Sequence, residues 1–318
     1  MSGIMPADRF EILRSIQRQF EEELGAFPVE LHPAVIRSYD KEDANSPGLL
    51  SLVALPFWIG EKFQTPQHVC KDMAVGNLFL LHCFQSFDFI VDDDRPDTSD
   101  RSQVVLGNLC FLQVMRHYRP YFPAGSLFWE RMEVYWREWG ESMSWEVETL
   151  NSRRPFTEAH LLRSAHKAAA LKICTTGLSI LAEKYDLIPQ FEQAVDLMHA
   201  VMQLLDDLQD WREDLQFGRY NAFLGLMISN HLLAADRSSS QEDVSAAIYG
   251  GCILEQYLAV INDFGMRAKD ATNSLGVEAW SILVDSLVTQ ASWLILEYKH
   301  IMESQVSRHL SPEASMDS

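Results

Sequence analysis

Apolar residues recur at helical spacing along almost the whole chain, as in Phe10, Leu13, Ile16, Phe20 and Leu24, and alternating strand patterns joined by hairpin turns are missing. That periodicity restricts the fold class to all-α. Breakers divide the pattern at Pro28 and Pro33, the SPG at 46–48, Pro66, Pro96, the stretch from Pro120 to Gly125, Pro155, Pro189, Gly218, the serines at 238–240 and Gly276. Between them the spacing predicts about ten helices. With 318 residues, 47% of them hydrophobic, one large core is within reach, and no composition shift or repeat marks a second domain. The expectation is a single all-α domain over 1–310, with 1–40 as a loosely packed N-terminal arm and 311–318 as a disordered tail. In a helical bundle, a ligand site is built from side chains that face inward.

Charge and cysteine content narrow the partners. Lys and Arg number 26 against 45 Asp and Glu, a net charge of −19, and no basic run is long enough to follow a phosphate backbone. Nucleic acid is therefore not expected as a partner, whereas an anionic ligand bridged by metal ions is compatible with an acidic protein. The five cysteines are scattered, odd in number and without CxxC spacing, which suits a reducing compartment. The first twenty residues carry charges where a signal peptide needs its apolar region, and no apolar run reaches about 18 residues. A soluble, cytoplasmic protein without a membrane span is expected.

Two aspartate clusters carry the chemistry. The first closes a very apolar segment, LFLLHCFQSFDFIVDDDRPD, with Asp88, Asp92, Asp93, Asp94 and Asp97. Pro96 tends to end the helix at Arg95, so these acids crowd a helix C-terminus, where the macrodipole already disfavours anions. A divalent cation would offset both effects. The second cluster lies within the helical pattern MHAVMQLLDDLQDWREDLQFGR, where Asp206, Asp210 and Asp214 fall at i, i+4 and i+8 on one stripe with Asp207 beside it. Like charges at that spacing destabilise a helix, and the preceding turns are apolar, so the stripe is expected to face a cavity. Hard oxygen ligands of this kind suit magnesium, which accepts one or two carboxylates together with substrate phosphates. HExxH pairs and Walker loops are absent, and Glu-x-x-His does not occur on two helices as a ferritin-like site needs.

Asp93-Asp94-Arg95-Pro96-Asp97 reads as DDxxD, and Gln203-Leu-Leu-Asp206-Asp207-Leu-Gln-Asp210 resembles the QxxDDxxD of trans-isoprenyl diphosphate synthases and their terpene-synthase relatives. The longer segment from Gln203 to Arg219 also resembles the second motif of squalene and phytoene synthases, and Asp88-x-x-x-Asp92 their first. The resemblance covers most of the chain and implies a class I terpenoid synthase-type helical bundle with a central cavity. It implies magnesium, three ions, held by Asp88, Asp92, Asp93, Asp97, Asp206, Asp207, Asp210 and Asp214. Asp93, Asp97, Asp206 and Asp210 then form the catalytic core. The leading pair of the first cluster is either Asp92-Asp93 or Asp93-Asp94. Ionising an allylic diphosphate leaves a carbocation and inorganic diphosphate, so the metal ions neutralise the leaving group while an apolar, aromatic-lined cavity shields the cation.

Cations that touch the diphosphate directly are expected from Arg163, Lys167 and Lys172, upstream of the second cluster, and from Arg219 with Tyr220 after it. Lys167 is similar to the lysine of the family's KT-type motif, although the threonine is missing. Phe84, Phe87, Phe111 and Trp136 are candidate cavity liners, as are Phe79, Trp129, Tyr135 and Trp139. Chain-elongating members carry a GGKR-like segment near the N-terminus and an RRG-type pair after the first motif, and neither is found here. The first expectation is therefore a terpene synthase that cyclises a linear substrate such as farnesyl or geranylgeranyl diphosphate. Prenyl transfer (chain elongation, head-to-head condensation or transfer to another acceptor) is the alternative, and a silent regulatory subunit is another. A homodimer is expected by analogy alone.

Overall fold

The computed structural model describes residues 9–31, 47–91, 101–149, 152–235, 239–250 and 252–310. Among these there are twelve α-helices and no strands. They are α1 (Arg9–Leu24), α2 (Pro47–Phe63), α3 (Gln67–Val91), α4 (Arg101–Tyr118), α5 (Leu127–Thr149), α6 (Glu158–Ala165), α7 (Ala170–Leu181), α8 (Ile188–Phe217), α9 (Ala222–Ser229), α10 (Gln241–Gly250), α11 (Ile253–Ser274) and α12 (Glu278–Leu310). The all-α expectation holds. Most breakers end helices where the sequence places them, but Pro189 sits in the first turn of α8, where its missing N–H has no cost. Pro56, by contrast, lies inside α2.

The two helices that carry Asp88 and the second aspartate cluster, α3 and α8, sit among several others. Helix α3 packs against α4 on one side and α2 on the other, and α8 packs against α7, α11 and α12. Val195, Met198, Val201, Leu204, Leu208 and Trp211 give α8 a fully buried face, and Trp280 from α12 donates its indole N–H to the Met198 sulfur at 2.9 Å. Residues 9–31 are not loose. Ile16, Phe20 and Leu24 are buried against α3, and the buried His117 of α4 pairs with Glu23 at 2.7 Å. The residues 311–318, expected as a tail, lie outside the described residues. One helix, α12, has a segment, Glu278–Ile301, long and apolar enough by composition to cross a membrane. Its buried stripe (Trp280, Leu283, Leu287, Ala291 and Ile295) packs into the protein core, as a core helix does. All five cysteines are free, four of them buried.

Candidate active site

Helix α8 supplies the acidic stripe. Its 30 residues end at Gly218, which adopts φ 72° and caps the helix by donating its N–H to the Asp214 carbonyl. Only glycine takes that left-handed conformation cheaply, so the chain turns sharply there and brings Arg219, Tyr220 and Asn221 back beside the last turn. Asn221 then caps α9 through its side-chain oxygen, while its amide N–H groups reach the Asp207 carbonyl at 2.8 Å and Asp214 Oδ2 at 2.7 Å.

The stripe opens on a polar chamber of about 120 Å³ whose lining includes Asp206, Asp207, Asp210 and Asp214, with Lys167, Arg219, Tyr220, Glu146 and Trp145. Burial, then the charges of Asp210 and Asp214, push the Asp206 carboxyl up to about 7. Burial also raises Asp214 to about 6, against the hydrogen bond from Asn221 and the charge of Arg219, and it raises Asp210, with Glu213 adding to the effect. Such crowded carboxylates favour protons or cations. Lys167 is held by an ion pair with Glu146, and Arg219 stands 3.9 Å from Asp214. The Tyr220 hydroxyl is buried and has no hydrogen-bond partner among the described residues. A diphosphate oxygen in the chamber would satisfy it.

A larger cavity of about 340 Å³ adjoins the chamber. The two share Ser164, Lys167, Gln203 and Asp206. Leu52, Leu81, Phe84, Ala168, Leu171 and Met202 make the deeper wall apolar, and Asp88 from α3 lines the same cavity as Asp206 from α8. Thus the described member of the first cluster and the head of the second border one space. Asp92, Asp93, Asp94 and Asp97 lie outside the described residues. Among the described residues no group of three or more His, Cys, Asp or Glu side chains is close enough to hold a metal ion. Carboxylates one helical turn apart are about 5–6 Å apart and need ligands from a facing element to close a coordination sphere. The donor chemistry of the stripe fits magnesium, with hard oxygens and raised proton affinities on one face.

Several expected residues take other positions. Asp207 is buried and occupied: its carboxylate accepts the Ala222 N–H at 2.6 Å and the Gln203 side-chain N–H at 2.7 Å, tying α8 to the start of α9. It acts there as an anchor. Lys172 turns away from the cavity. Lys167 sits in the 3-10 turn His166–Ala168 and Lys172 in α7, where its Nζ is buried between Glu138 of α5 at 2.8 Å and Asp196 of α8 at 2.6 Å. Arg163 is exposed, 5.7 Å from the Trp145 ring, with a 3.4 Å bond to the Glu141 carbonyl.

Of the four predicted liners, Phe84 reaches the cavity. Trp136 and Trp139 lie 4.8 Å from its ring, Phe111 packs edge-on to Trp136, and Phe87 is turned toward α4, where Gly107 leaves room for it. These four form a cluster behind Phe84. Phe79 stacks with His117, Trp129 packs on Phe128, and Tyr135 bonds Thr176 and Glu192, all of them core roles.

Residues not anticipated from the sequence also border the site. His199 lines the cavity seven residues before Asp206, so extending the stripe back through Gln203 would have found it. Burial and the charge of Lys172 hold its pKa down to about 3, which keeps the imidazole neutral. Glu146 and Ser164 carry no distinguishing signal in the sequence.

No protein-family model matches the sequence, and no curated protein does either. Solved structures do resemble the fold. A decaprenyl diphosphate synthase from Rhodobacter capsulatus superposes with a TM-score of 0.70 at 14% identity, over 88% of this chain and 96% of its own. A geranylgeranyl pyrophosphate synthetase from the archaeon Geoglobus acetivorans gives 0.68 at 14% identity, over 89% and 99%. A polyprenyl synthase from Caulobacter crescentus CB15, complexed with calcium and isoprenyl diphosphate, gives 0.65 at 14% identity, over 88% and 96%. The chain therefore has the fold of the trans-isoprenyl diphosphate synthases.

Proposed function

We propose that this protein is an enzyme that binds an isoprenyl diphosphate, breaks its allylic C–O bond and transfers the resulting prenyl cation to an acceptor. One observation carries the reading: a chamber walled by the Asp206, Asp210 and Asp214 stripe opens directly into an apolar cavity, with Lys167, Gln203, Ser164 and Asp206 at their junction. The diphosphate belongs in the chamber and the hydrocarbon chain in the cavity. Asp206, Asp210 and Asp214 would hold magnesium ions together with Asp88, Asp92, Asp93 and Asp97. Bound there, three such ions would supply the positive charge that stabilises diphosphate as it leaves.

The chain's own residues do the rest. Lys167 and Arg219 add fixed positive charge at the departing oxygens, and the Tyr220 hydroxyl donates a hydrogen bond to one of them. Phe84, Leu81 and Leu171 keep water from the cation, and the face of Phe84 stabilises it. Because His199 is neutral, it adds no charge that would repel the cation.

Likeness to prenyl diphosphate synthases supports transfer over the cyclisation first expected from the sequence. Cyclisation, a lyase reaction, is the second reading, favoured by the absence of the GGKR-like and RRG-type segments that grip isopentenyl diphosphate. Incubating the protein with geranyl, farnesyl and geranylgeranyl diphosphates, with and without isopentenyl diphosphate, and identifying the products by mass spectrometry decides between them. A longer prenyl diphosphate supports transfer; a cyclic hydrocarbon or alcohol formed without any acceptor supports the second reading. No consumption of any diphosphate under either condition defeats cyclisation and chain elongation, leaving transfer to another acceptor or a silent subunit.

A further inference from the structure

The larger cavity is not apolar throughout. His199 of α8 lines it, and Ser51 of α2 and Gln85 of α3 add polar side chains to the same space. His199 is buried, and its Nε2 has no hydrogen-bond partner among the described residues. A hydrocarbon chain packed against the ring would offer it none, and a buried polar group left unpaired carries a penalty. With no bond at Nε2 to fix the ring, the imidazole can turn a nitrogen toward an occupant of the cavity. Its place along α8 also matters. Gln203 stands at the junction of cavity and chamber, and His199 lies one turn deeper, about 6 Å along the helix axis. Under the proposed function the allylic C1 sits at that junction, next to the diphosphate. A nucleophilic atom about 3 Å from His199 and about 3 Å from C1 fits within the turn between them.

Charge restricts what that nucleophile belongs to. Lys167 is the single cation among the described residues that line the cavity, and it also lines the chamber, where Glu146 holds it. Arg219, the other cation of the chamber, stands beside Asp214. Both serve the leaving diphosphate. An acceptor with a diphosphate of its own would therefore face Asp88 and Asp206 with no side-chain cation to pair it, whereas a neutral acceptor avoids that cost.

We propose that His199 receives the acceptor, a neutral compound bearing an O–H or N–H group, and takes its proton as the prenyl group is attached. This rests on the proposed ionisation of an allylic diphosphate. The allylic C–O bond breaks with both electrons leaving on the diphosphate, and a lone pair of the acceptor oxygen or nitrogen forms the new bond to C1. The acceptor's proton passes to the imidazole, which then carries one positive charge. Before that step the ring is neutral, because burial and the charge of Lys172 hold its pKa down to about 3. A base that weak still takes a proton from the cationic adduct, and it returns the proton readily to diphosphate or water.

The test incubates the parent, His199→Phe and His199→Gln, each checked for parental helical content by circular dichroism, with geranyl or farnesyl diphosphate and magnesium. Four probes are offered as acceptors: 1-naphthol, indole and isopentenol, which are neutral, and isopentenyl diphosphate, the charged counterpart of isopentenol. Released diphosphate and prenylated product are measured together. The parent is expected to prenylate a neutral probe on oxygen or nitrogen and to leave isopentenyl diphosphate unreacted. In His199→Phe the ratio of prenylated probe to diphosphate released is expected to fall about a hundredfold, with prenyl alcohol formed from water in its place. His199→Gln is expected to recover part of the loss, since it keeps a hydrogen bond but no base. An unchanged ratio in His199→Phe overturns the proposal. So does a parent that elongates isopentenyl diphosphate while leaving all three neutral probes untouched, or one that yields only prenyl alcohol or hydrocarbon with every probe. Each of these results leaves the ionisation of the allylic diphosphate standing. No diphosphate released from either prenyl diphosphate under any condition defeats that reading and this inference together.

Discussion

Enclosure in the chamber and then the charges of Asp210 and Asp214 push the Asp206 carboxyl up from its ordinary 3.8 to about 7, although the residue keeps a face open to solvent. The folded state therefore binds more protons than the unfolded state between those two values, and the contribution of Asp206 to stability falls as pH rises through that window. An asparagine is neutral at every pH. In metal-free buffer Asp206→Asn should melt above the parent, by a margin that is small at pH 5 and larger at pH 8; an equal margin at both would contradict the assignment. Asp207, one residue on, has a different role. Removing its carboxylate in Asp207→Ala strands the Ala222 N–H and the Gln203 amide, so urea unfolding should show a loss of about 1–3 kcal/mol. Asp210 is exposed, and Asp210→Asn should keep parental stability within about 0.5 kcal/mol while losing magnesium-dependent turnover. Parental stability in Asp207→Ala, or full turnover in Asp210→Asn, would show that the roles are wrongly divided. The sequence made the stripe legible, since a spacing of four residues fixes a helical face. It did not reveal that Asp207, beside the stripe and also at the chamber wall, accepts the Ala222 and Gln203 N–H groups, because this depends on where Gly218 turns the chain.

Helix α7 and the turn before it show where periodicity stops being a guide. Lys167 and Lys172 look equivalent in sequence, but Lys167 falls in the 3-10 turn His166–Ala168 and Lys172 in the α-helix that follows, leaving Lys167 at the cavity and Lys172 in a buried ion pair. Lys172→Met would leave Glu138 and Asp196 without their cation. The expected cost is about 2–4 kcal/mol, below that of a fully buried pair because both carboxylates keep some solvent. Its effect on KM for the diphosphate substrate should be small compared with that of Lys167→Met. Thermal unfolding and steady-state kinetics on the two variants check this, and a KM rise in Lys172→Met matching that of Lys167→Met would return Lys172 to the site. The aromatic liners followed the same logic. Residues 81, 84, 85 and 88 share a face of α3, so Phe84 lines the cavity, whereas Phe87 falls on the neighbouring face and meets α4.

At the scale of the whole molecule, the all-α class was readable before any coordinates because it follows from period, whereas the meeting of two acidic segments at one cavity was an expectation from the family resemblance, of which the described residues include only Asp88, lining one cavity with Asp206. The chemistry that follows ionisation was not readable, since cyclisation and transfer share the carboxylates and differ in what else the site holds. An acidic chain with net charge −19 sets Lys167 and Arg219 beside its most crowded carboxylates, an arrangement that would suit an anion brought in with metal ions under the proposed function. The direct test of that account is inorganic diphosphate release from geranyl and farnesyl diphosphates by the purified protein, in magnesium and in chelator, beside Asp206→Asn. The account predicts release by the parent in magnesium, none in chelator, and none by the variant despite its intact helical spectrum. Release that persists in chelator, or a fully active Asp206→Asn, would contradict it.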